Sequence, residues 1–151
     1  MLRKANIQDV SSIQTLINER AKAGDVLPRS LNAIYENLRD FAIYEDKKKV
    51  YGCVSIHVTW QDLAEIRSLV VHQSKQGKGI GHQLVEYCIK EAKELKIKKV
   101  FLLTEKPEFF KKLGFTQIDK SLLPHKIWND CVQCVHFPDC NELAMIKELG
   151  V

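Results

Sequence analysis

Apolar residues recur along the N-terminal third at the spacing of one helix face. The residues that mark this face are Val10, Ile13, Leu16 and Ile17. Apolar positions three and four residues apart predict an amphipathic helix, here over 6–24 with Gly24 at its end. A second helix is predicted over 31–41, because Ser30 precedes it and serine is a preferred N-cap residue.

Strand-like runs then dominate the chain. Residues 1–5 form a short candidate strand, and 41–46 and 50–60 form a candidate hairpin across the charged turn 46–49. Residues 64–71 follow as a third long strand. Because the connections between these runs are short, we expect an antiparallel meander.

The second half alternates strand, helix and strand. Residues 79–95 have helical periodicity, and the apolar run 98–104 after them is expected to pair in parallel with 64–71. A short helix is predicted over 107–115, since proline favours a helix start and Gly114 a helix end. The remaining candidate strands are 115–119 and 142–149. The expected fold is one α+β domain, 1–151, with a mixed sheet.

Length and composition restrict the class of protein. The chain has 151 residues, 45% of them hydrophobic and 28% charged, which is typical of a soluble globular domain. No apolar run approaches the roughly 20 residues of a membrane span, and the N-terminus lacks a signal-peptide core. We therefore expect a cytoplasmic protein without membrane contact. The net charge of +4 is mild, and the basic clusters at 45–50 and 93–100 lack the dense basic face with interleaved aromatics that nucleic-acid binding requires.

The stretch "HQSKQGKGIG", residues 72–81, raises the question of function. It contains three glycines between a predicted strand and a predicted helix. The first N–H groups of a helix lack partners within the helix, and glycines let an anion approach them closely. A strained turn without a ligand is the alternative. The P-loop motif is absent, and the position of the turn after a meander disfavours a dinucleotide-binding fold.

The motif and its position resemble the GNAT superfamily of N-acetyltransferases. The family signature, [Q/R]-x-x-G-x-[G/A], is matched by Gln76-Gly77-Lys78-Gly79-Ile80-Gly81, and "PEFFKKLGF" is similar to a later motif ending in Gly-Phe. The resemblance implies a mixed sheet with a splayed fourth strand and flanking helices. It also implies that acetyl-CoA is the cosubstrate, with its pyrophosphate on the backbone of these six residues. Backbone amides of Leu69, Val70 and Val71 would contact the pantetheine arm and the thioester.

The same resemblance suggests how the acceptor amine loses its proton. Some family members have a general-base glutamate at the position of Glu65. Alternation of strand side chains would place Glu65, Arg67 and Leu69 on one face. A salt bridge from Glu65 to Arg67, or a surface position, is the alternative. Many family members have a tyrosine acid in the late short helix, where this chain has Phe110, which puts a dedicated acid in doubt.

A narrower resemblance concerns the acceptor. The chain is similar to the acetyltransferase domain of N-acetylglutamate synthases in five stretches, which are 27–30, 64–71, 102–115, 122–131 and 141–149. This implies acetylation of L-glutamate and a place in arginine biosynthesis. An acceptor with two carboxylates requires cations, and arginine binds carboxylates through two parallel hydrogen bonds. The expected substrate-binding residues are Arg29, Ser30, Arg67 and Lys106.

Two alternatives remain at this level. One is an acetyltransferase for another amine, such as a polyamine, an antibiotic or a protein N-terminus. The other is a non-catalytic acyl-CoA-binding module. A homodimer is possible, since GNAT proteins often dimerise. Direct feedback by arginine is expected to be absent or to come from a partner, because full-length synthases bind arginine in a kinase-like domain.

The C-terminal region contains a cysteine cluster, "CVQCVHFPDC", formed by Cys131, Cys134 and Cys140. A structural zinc site usually has two paired Cys-x-x-Cys knuckles, and this stretch has one. We expect a packed loop with reduced thiols and no bound metal. A zinc site that also uses nearby histidines and a redox-sensitive thiol pair are the alternatives.

Overall fold

The computed structural model describes residues 1–24, 26, 28–123 and 142–150. Within these residues seven strands form one mixed sheet in the order β1-β2-β3-β4-β5-β7-β6. The strands are β1 (Leu2–Lys4), β2 (Phe41–Asp46), β3 (Lys49–Trp60), β4 (Leu63–Val71), β5 (Lys99–Thr104), β6 (Thr116–Ile118) and β7 (Leu143–Glu148). The helices are α1 (Val10–Lys22), α2 (Leu31–Glu36), α3 (Ile80–Glu94) and α4 (Pro107–Lys111). None of the described helices is long and apolar enough to cross a membrane.

The strand pairing follows the predicted order. β1, β2, β3 and β4 pair antiparallel with their neighbours, and β4 pairs in parallel with β5. The predicted meander and the parallel pair around α3 are therefore confirmed. β7 then pairs antiparallel with both β5 and β6, which places the end of the described chain between two earlier strands.

β4 and β5 separate part-way along their length. They pair only through Leu63, Ala64 and Glu65 of β4. β5 continues to Thr104 on its other side, paired with β7. Beyond Glu65 the two strands therefore diverge, and the splayed fourth strand that the family resemblance implied is present.

A β-bulge in β4 changes which side chains share a face. Cys53 of β3 pairs with Val70, but Ser55 pairs with Arg67, so β4 has one extra residue here. Ser68 at the bulge has φ +54°, which is uncommon for a residue other than glycine. The bulge reverses the alternation, so Leu69 packs with the core beneath α3 while Val70 packs beneath α1. The prediction that Leu69 shares a face with Glu65 and Arg67 is therefore wrong.

Helices cover both faces of the sheet. α3 packs on one face over a core that contains Val54, Ile56 and Ile66. α1 and α2 pack on the opposite face, beneath which lie Ile43 and Val70. The start of α3 lies very close to the sheet. A Cβ at Gly52 would be 3.1 Å from Leu84 Cδ1 and 3.4 Å from Ile80 Cγ2, so glycine permits this approach.

The second helix is shorter than predicted. α2 ends at Glu36, and a 3-10 turn follows at Leu38–Asp40. Asn37 separates the two, and its side-chain amide donates to the Ala33 carbonyl at 2.8 Å. A side chain that binds the last helical carbonyls in this way competes with continued helix. The prediction of one helix over 31–41 is wrong for this reason, and the turn directs Asp40 towards β3.

Candidate active site

The glycine turn has the geometry of an anion site at the start of α3. Gly77 and Gly79 have φ +79° and +82°, and Gly79 is the N-cap residue of the helix. No atom lies within 4 Å of an ideal Cβ at either glycine, so there is space above the backbone. The Gln83 N–H makes an early helical bond to the Gly79 carbonyl at 3.1 Å, and the N–H groups before it point out of the helix start. The residues present therefore fit a phosphate group.

Side chains around the turn hold it against the sheet. The Gln76 amide donates to the Val71 carbonyl at 3.2 Å, which connects the signature to the end of β4. Gly81 leaves room for Phe109, whose ring would lie 3.3 Å from a Cβ at that position. Lys75 Nζ lies 3.6 Å from Asp46 and 4.9 Å from the centre of the Tyr51 ring. The Lys75 ammonium group therefore has partners within the protein, beside the turn.

The last residues of β4 border the gap between β4 and β5. Leu69, Val70 and Val71 are the residues expected to contact the pantetheine arm and the thioester. They lie beyond the last β4–β5 pair, between the bulge at Ser68 and the glycine turn. On its other side this segment still pairs with β3, because Val70 and Val71 are opposite Cys53 and Gly52. One edge of β4 is therefore held in the sheet while the other faces the gap.

A second depression lies on the α2 side of β4. It is a pocket that is open to solvent. Its lining combines two guanidinium groups with a carboxylate, an imidazole, hydroxyls and apolar groups. The lining residues are Arg29, Ala33, Ile34, Asn37, Asp40, Phe41, Ser55, His57, Arg67 and Ser68. The structure therefore places Arg29 and Arg67, two of the predicted substrate-binding residues, in one pocket.

Glu65, the predicted general base, lies beside this pocket. Its side chain is almost completely buried, with the residue 9% exposed. Arg67 Nε donates to Glu65 Oε1 at 2.6 Å. Burial raises the pKa of Glu65, and the nearby guanidinium groups of Arg67 and Arg29 oppose this rise. Glu65 therefore makes the salt bridge that was the alternative to the base role. A general base that is oriented by a neighbouring arginine would make the same contact. The catalytic role of Glu65 therefore stays a prediction.

Arg29 is positioned by helix α1. Its N–H donates to Asn18 Oδ1 at 3.3 Å, and its carbonyl accepts from the Gln14 amide at 3.4 Å. The half-buried guanidinium makes no hydrogen bond or ion pair with any other residue that the structure describes. Burial and the adjacent Arg67 charge lower the pKa of Arg29, which Glu65 opposes. A partly buried cation beside a second cation is a position that an anion would stabilise.

The other predicted site residues lie outside the lining of this pocket. Ser30 is exposed, and its hydroxyl accepts from the Ala33 N–H as the cap of α2. Lys106 lies just before α4, and its N–H donates to Thr104 Oγ1 at 2.9 Å. Their roles towards the acceptor stay predictions. Phe110 is buried against Phe109 and Phe115, so this position of α4 offers no proton donor.

Sequence analysis did not identify Asp40 and His57 as site residues. His57 Nδ1 lies 2.7 Å from Asp40 Oδ2, and His57 is directly opposite Glu65 in the β3–β4 register. A signal for His57 was available. Polar residues occupy alternate positions Ser55, His57 and Thr59 in an otherwise apolar strand, which indicates one polar strand face. Asp40 had no such signal, because it reaches the pocket only through the 3-10 turn.

The cysteine cluster lies outside the described residues, so the expectation for Cys131, Cys134 and Cys140 stays untested. Among the residues that are described, Cys53 and Cys88 are buried thiols. Burial raises the pKa of Cys53 to about 12, and it also raises that of Cys88. Neither thiol is therefore activated as a nucleophile at neutral pH.

Comparison with known proteins decides the family. The sequence model of the acetyltransferase (GNAT) family matches residues 10–115. The chain belongs to the GNAT family. It is similar to an uncharacterised N-acetyltransferase of Chlorobaculum tepidum, with 40% identity over 98% of this chain and 96% of that protein. It is also similar to an amino-acid acetyltransferase of Mycobacterium tuberculosis, with 34% identity over 86% of this chain and 76% of the relative.

A solved structure supports the same fold and the cosubstrate. N-acetylglutamate synthase from Neisseria gonorrhoeae, in complex with coenzyme A and N-acetyl-glutamate, superposes with a TM-score of 0.92 and 25% identity. The match covers all of this chain and 35% of that longer chain. This GNAT protein is an N-acetyltransferase, and acetyl-CoA is its cosubstrate.

Proposed function

We propose that this GNAT enzyme transfers the acetyl group of acetyl-CoA to the α-amine of a small acidic amino acid, with L-glutamate as the preferred acceptor. The observation that carries the proposal is the Arg29 guanidinium. It lies half-buried in the pocket beside Arg67, without an ion pair to any described residue. A carboxylate of the acceptor would supply the missing negative charge through charge-assisted hydrogen bonds. The names of the similar amino-acid acetyltransferase and synthase support the same substrate class.

The proposed reaction is direct attack of the amine on the thioester in a ternary complex. The turn at Gly77 and Gly79 holds the pyrophosphate, and the gap beyond Glu65 admits the pantetheine arm. Arg29 and Arg67 orient the carboxylates, so that binding energy positions the amine. Glu65 accepts a proton from the ammonium group, and N–H groups of β4 stabilise the oxyanion that forms on the thioester carbonyl. The thiolate departs and takes its proton from the second ammonium hydrogen or from water, since Phe110 has none to give.

The experiment that tests this function measures release of the CoA thiol from acetyl-CoA with a panel of amines. L-Glutamate, L-aspartate, L-glutamine, L-lysine and spermidine differ in the number and sign of their charges. We expect the highest kcat/KM for L-glutamate, and a lower value for L-glutamine, which lacks the second carboxylate. The highest kcat/KM for spermidine or L-lysine would overturn the acceptor assignment and leave the GNAT family assignment unchanged.

A further inference from the structure

Acetylation of an ammonium group produces one proton that must leave the enzyme. The balanced reaction is R–NH3⁺ plus acetyl-CoA giving R–NH–CO–CH3, CoA-SH and H⁺. Of the three ammonium hydrogens, one stays on the amide and one goes to the thiol. The third is released. The route by which this proton reaches solvent is a separate question from the identity of the base. The inference rests on the proposed function, because it takes Glu65 as the base.

Glu65 is poorly placed to pass a proton directly to bulk water. The residue is only 9% exposed, and Arg67 Nε occupies one carboxylate oxygen at 2.6 Å. The guanidinium groups of Arg67 and Arg29 act on the Glu65 charge, but guanidinium groups have hydrogen-bond donors and no proton acceptor. A proton on Glu65 therefore needs another acceptor in the pocket before it reaches solvent.

His57 is such an acceptor. It is the cross-strand partner of Glu65, and directly opposed residues have Cβ atoms about 4.5–5.5 Å apart. Its side chain is 31% exposed, so it contacts both the pocket and solvent. Asp40 Oδ2 lies 2.7 Å from Nδ1. A carboxylate only accepts hydrogen bonds, so Nδ1 carries the hydrogen of the neutral ring and Nε2 is left as the basic nitrogen.

We propose that the Asp40–His57 pair carries the released ammonium proton from Glu65 to solvent. The protonated Glu65 gives its proton to Nε2 of neutral His57, which forms an imidazolium that Asp40 stabilises through Nδ1–H. The imidazolium then loses the Nε2 proton to water or buffer at its exposed edge, and both groups return to their starting states. Among the described residues, the charged groups around His57 are Asp40, which contacts it, Glu65, which is opposite it across the strands, and Arg67 and Arg29, which line the same pocket. The two guanidinium groups repel the imidazolium and so favour release of the proton.

Chemical rescue separates a proton relay from a structural role. We expect His57→Gln and His57→Ala to lower kcat by roughly 10-fold at low buffer concentration, with little change in the KM for acetyl-CoA. Added imidazole should restore most of the kcat of His57→Ala, because a small buffer can accept the proton in the emptied space. Val58→Gln on the opposite face of β3 controls for damage to the strand and should keep the wild-type kcat. Wild-type kcat in both His57 variants, or a loss that imidazole does not restore, would overturn the relay.

A second measurement does not depend on turnover. The nitrogen chemical shifts of the His57 imidazole at one fixed pH, compared between the wild-type enzyme and Glu65→Gln, test whether the two side chains interact. Replacing the Glu65 carboxylate by an amide should change the Nε2 shift, since a nearby charge acts on the ring. Unchanged shifts would overturn the relay even in an enzyme that acetylates L-glutamate. If acetylation is found only with another amine, the proposed acceptor fails, while the chemical shifts and the rescue still decide the relay.

Discussion

In the proposed acceptor pocket, positive charge exceeds negative charge near Arg29, an arrangement that does not maximise the stability of the fold. Glu65 satisfies Arg67, but Arg29 lies beside them without an ion-pair partner among the described residues. Two guanidinium groups in a partly buried pocket repel each other, which costs free energy in the folded protein. Side chains of α1 nevertheless hold the Arg29 backbone in place. This combination is expected of a side chain that is positioned in advance for a ligand.

Arg29→Ala should raise the KM for the acceptor by roughly 10- to 100-fold, because a hydrogen bond to a charged group contributes about 1.5–3 kcal/mol. The KM for acetyl-CoA should not change. Arg29→Lys should recover only part of the loss, since lysine cannot bind a carboxylate in the same two-bond geometry. Arg39→Ala, an exposed arginine near the pocket but outside its lining, removes the same charge as a control. Equal effects of Arg29→Ala and Arg39→Ala would refute a specific role for Arg29.

The pH dependence of kcat tests Glu65. The carboxylate must be ionised to accept a proton, and burial raises its pKa above the ordinary value of about 4.3. Activity should therefore be full at high pH and fall as the pH decreases through this raised pKa, earlier than for an exposed glutamate. Glu65→Gln should lower kcat by roughly 100-fold and remove this acidic limb. A Glu65→Gln enzyme with the wild-type profile would show that another group, or water, is the base.

Two irregular elements shape the proposed cosubstrate site. The bulge at Ser68 gives β4 an extra residue just where it leaves β5, so β4 remains paired with β3 while its other edge faces the gap. The turn that follows ends at Gly79 with φ +82°, from which α3 starts. Bulges and left-handed residues are common where a strand must redirect a backbone or a side chain. Here both lie within twelve residues of each other, at the end of the splayed strand.

Gly79→Ala tests the turn, and Gly24→Ala is its matched control. Both glycines have φ near +83°, and neither has an atom within 4 Å of an ideal Cβ. Alanine in this conformation should lower the free energy of unfolding by about 1–2 kcal/mol at either position. Only Gly79→Ala should also raise the KM for acetyl-CoA, by about 10-fold, because only Gly79 lies at the proposed phosphate site. A similar rise in KM for Gly24→Ala would attribute the effect to general destabilisation.

The regular elements were predictable because their signals are local. Periodicity located α1 and α3. The short connections among the first strands predicted the meander, and the strand–helix–strand order predicted the parallel pair. The bulge was not predictable, because nothing in "IRSLVV" marks Ser68 as the extra residue. One inserted residue reverses every later side chain, which is why Leu69 was placed on the wrong face. The end of α2 was missed because a single asparagine is a weak signal in the sequence, whereas the helical pattern around Asn37 is strong. The hydrogen bond from the Asn37 side chain that ends the helix is visible only in the structure.

The candidate site was predictable only in part. The glycine signature is a contiguous motif, so its position in the fold followed from the motif. The pocket combines residues 29, 40, 57 and 67, which are distant in sequence and meet through the β3–β4 register and the 3-10 turn. Register depends on packing across the whole sheet, and single-sequence patterns do not determine it. Arg29 and Arg67 were identified from the charge that the acceptor requires, whereas Asp40 and His57 follow from geometry alone.

At the scale of the molecule, β4 lies between the two proposed half-sites, one for acetyl-CoA and one for the acceptor. The glycine turn and α3 lie towards one face of the sheet, and Arg29, Asp40 and His57 line the pocket on the other. An acetyl group can pass from one half-site to the other only where β4 has separated from β5. The two ligands should therefore bind through different residues and still meet at the reacting atoms.

Thermal unfolding with coenzyme A tests this separation. A ligand that binds only the folded state at 100 times its Kd stabilises it by about 2.7 kcal/mol, which corresponds to a rise in Tm of about 5–10 °C for a chain of this size. We expect this rise for the wild-type enzyme and for Arg29→Ala, because Arg29 belongs to the proposed acceptor half-site. Gly79→Ala should show a much smaller rise at the same coenzyme A concentration. If Arg29→Ala also loses the rise, the pocket and the glycine turn form one site, and the division of the molecule by β4 is wrong.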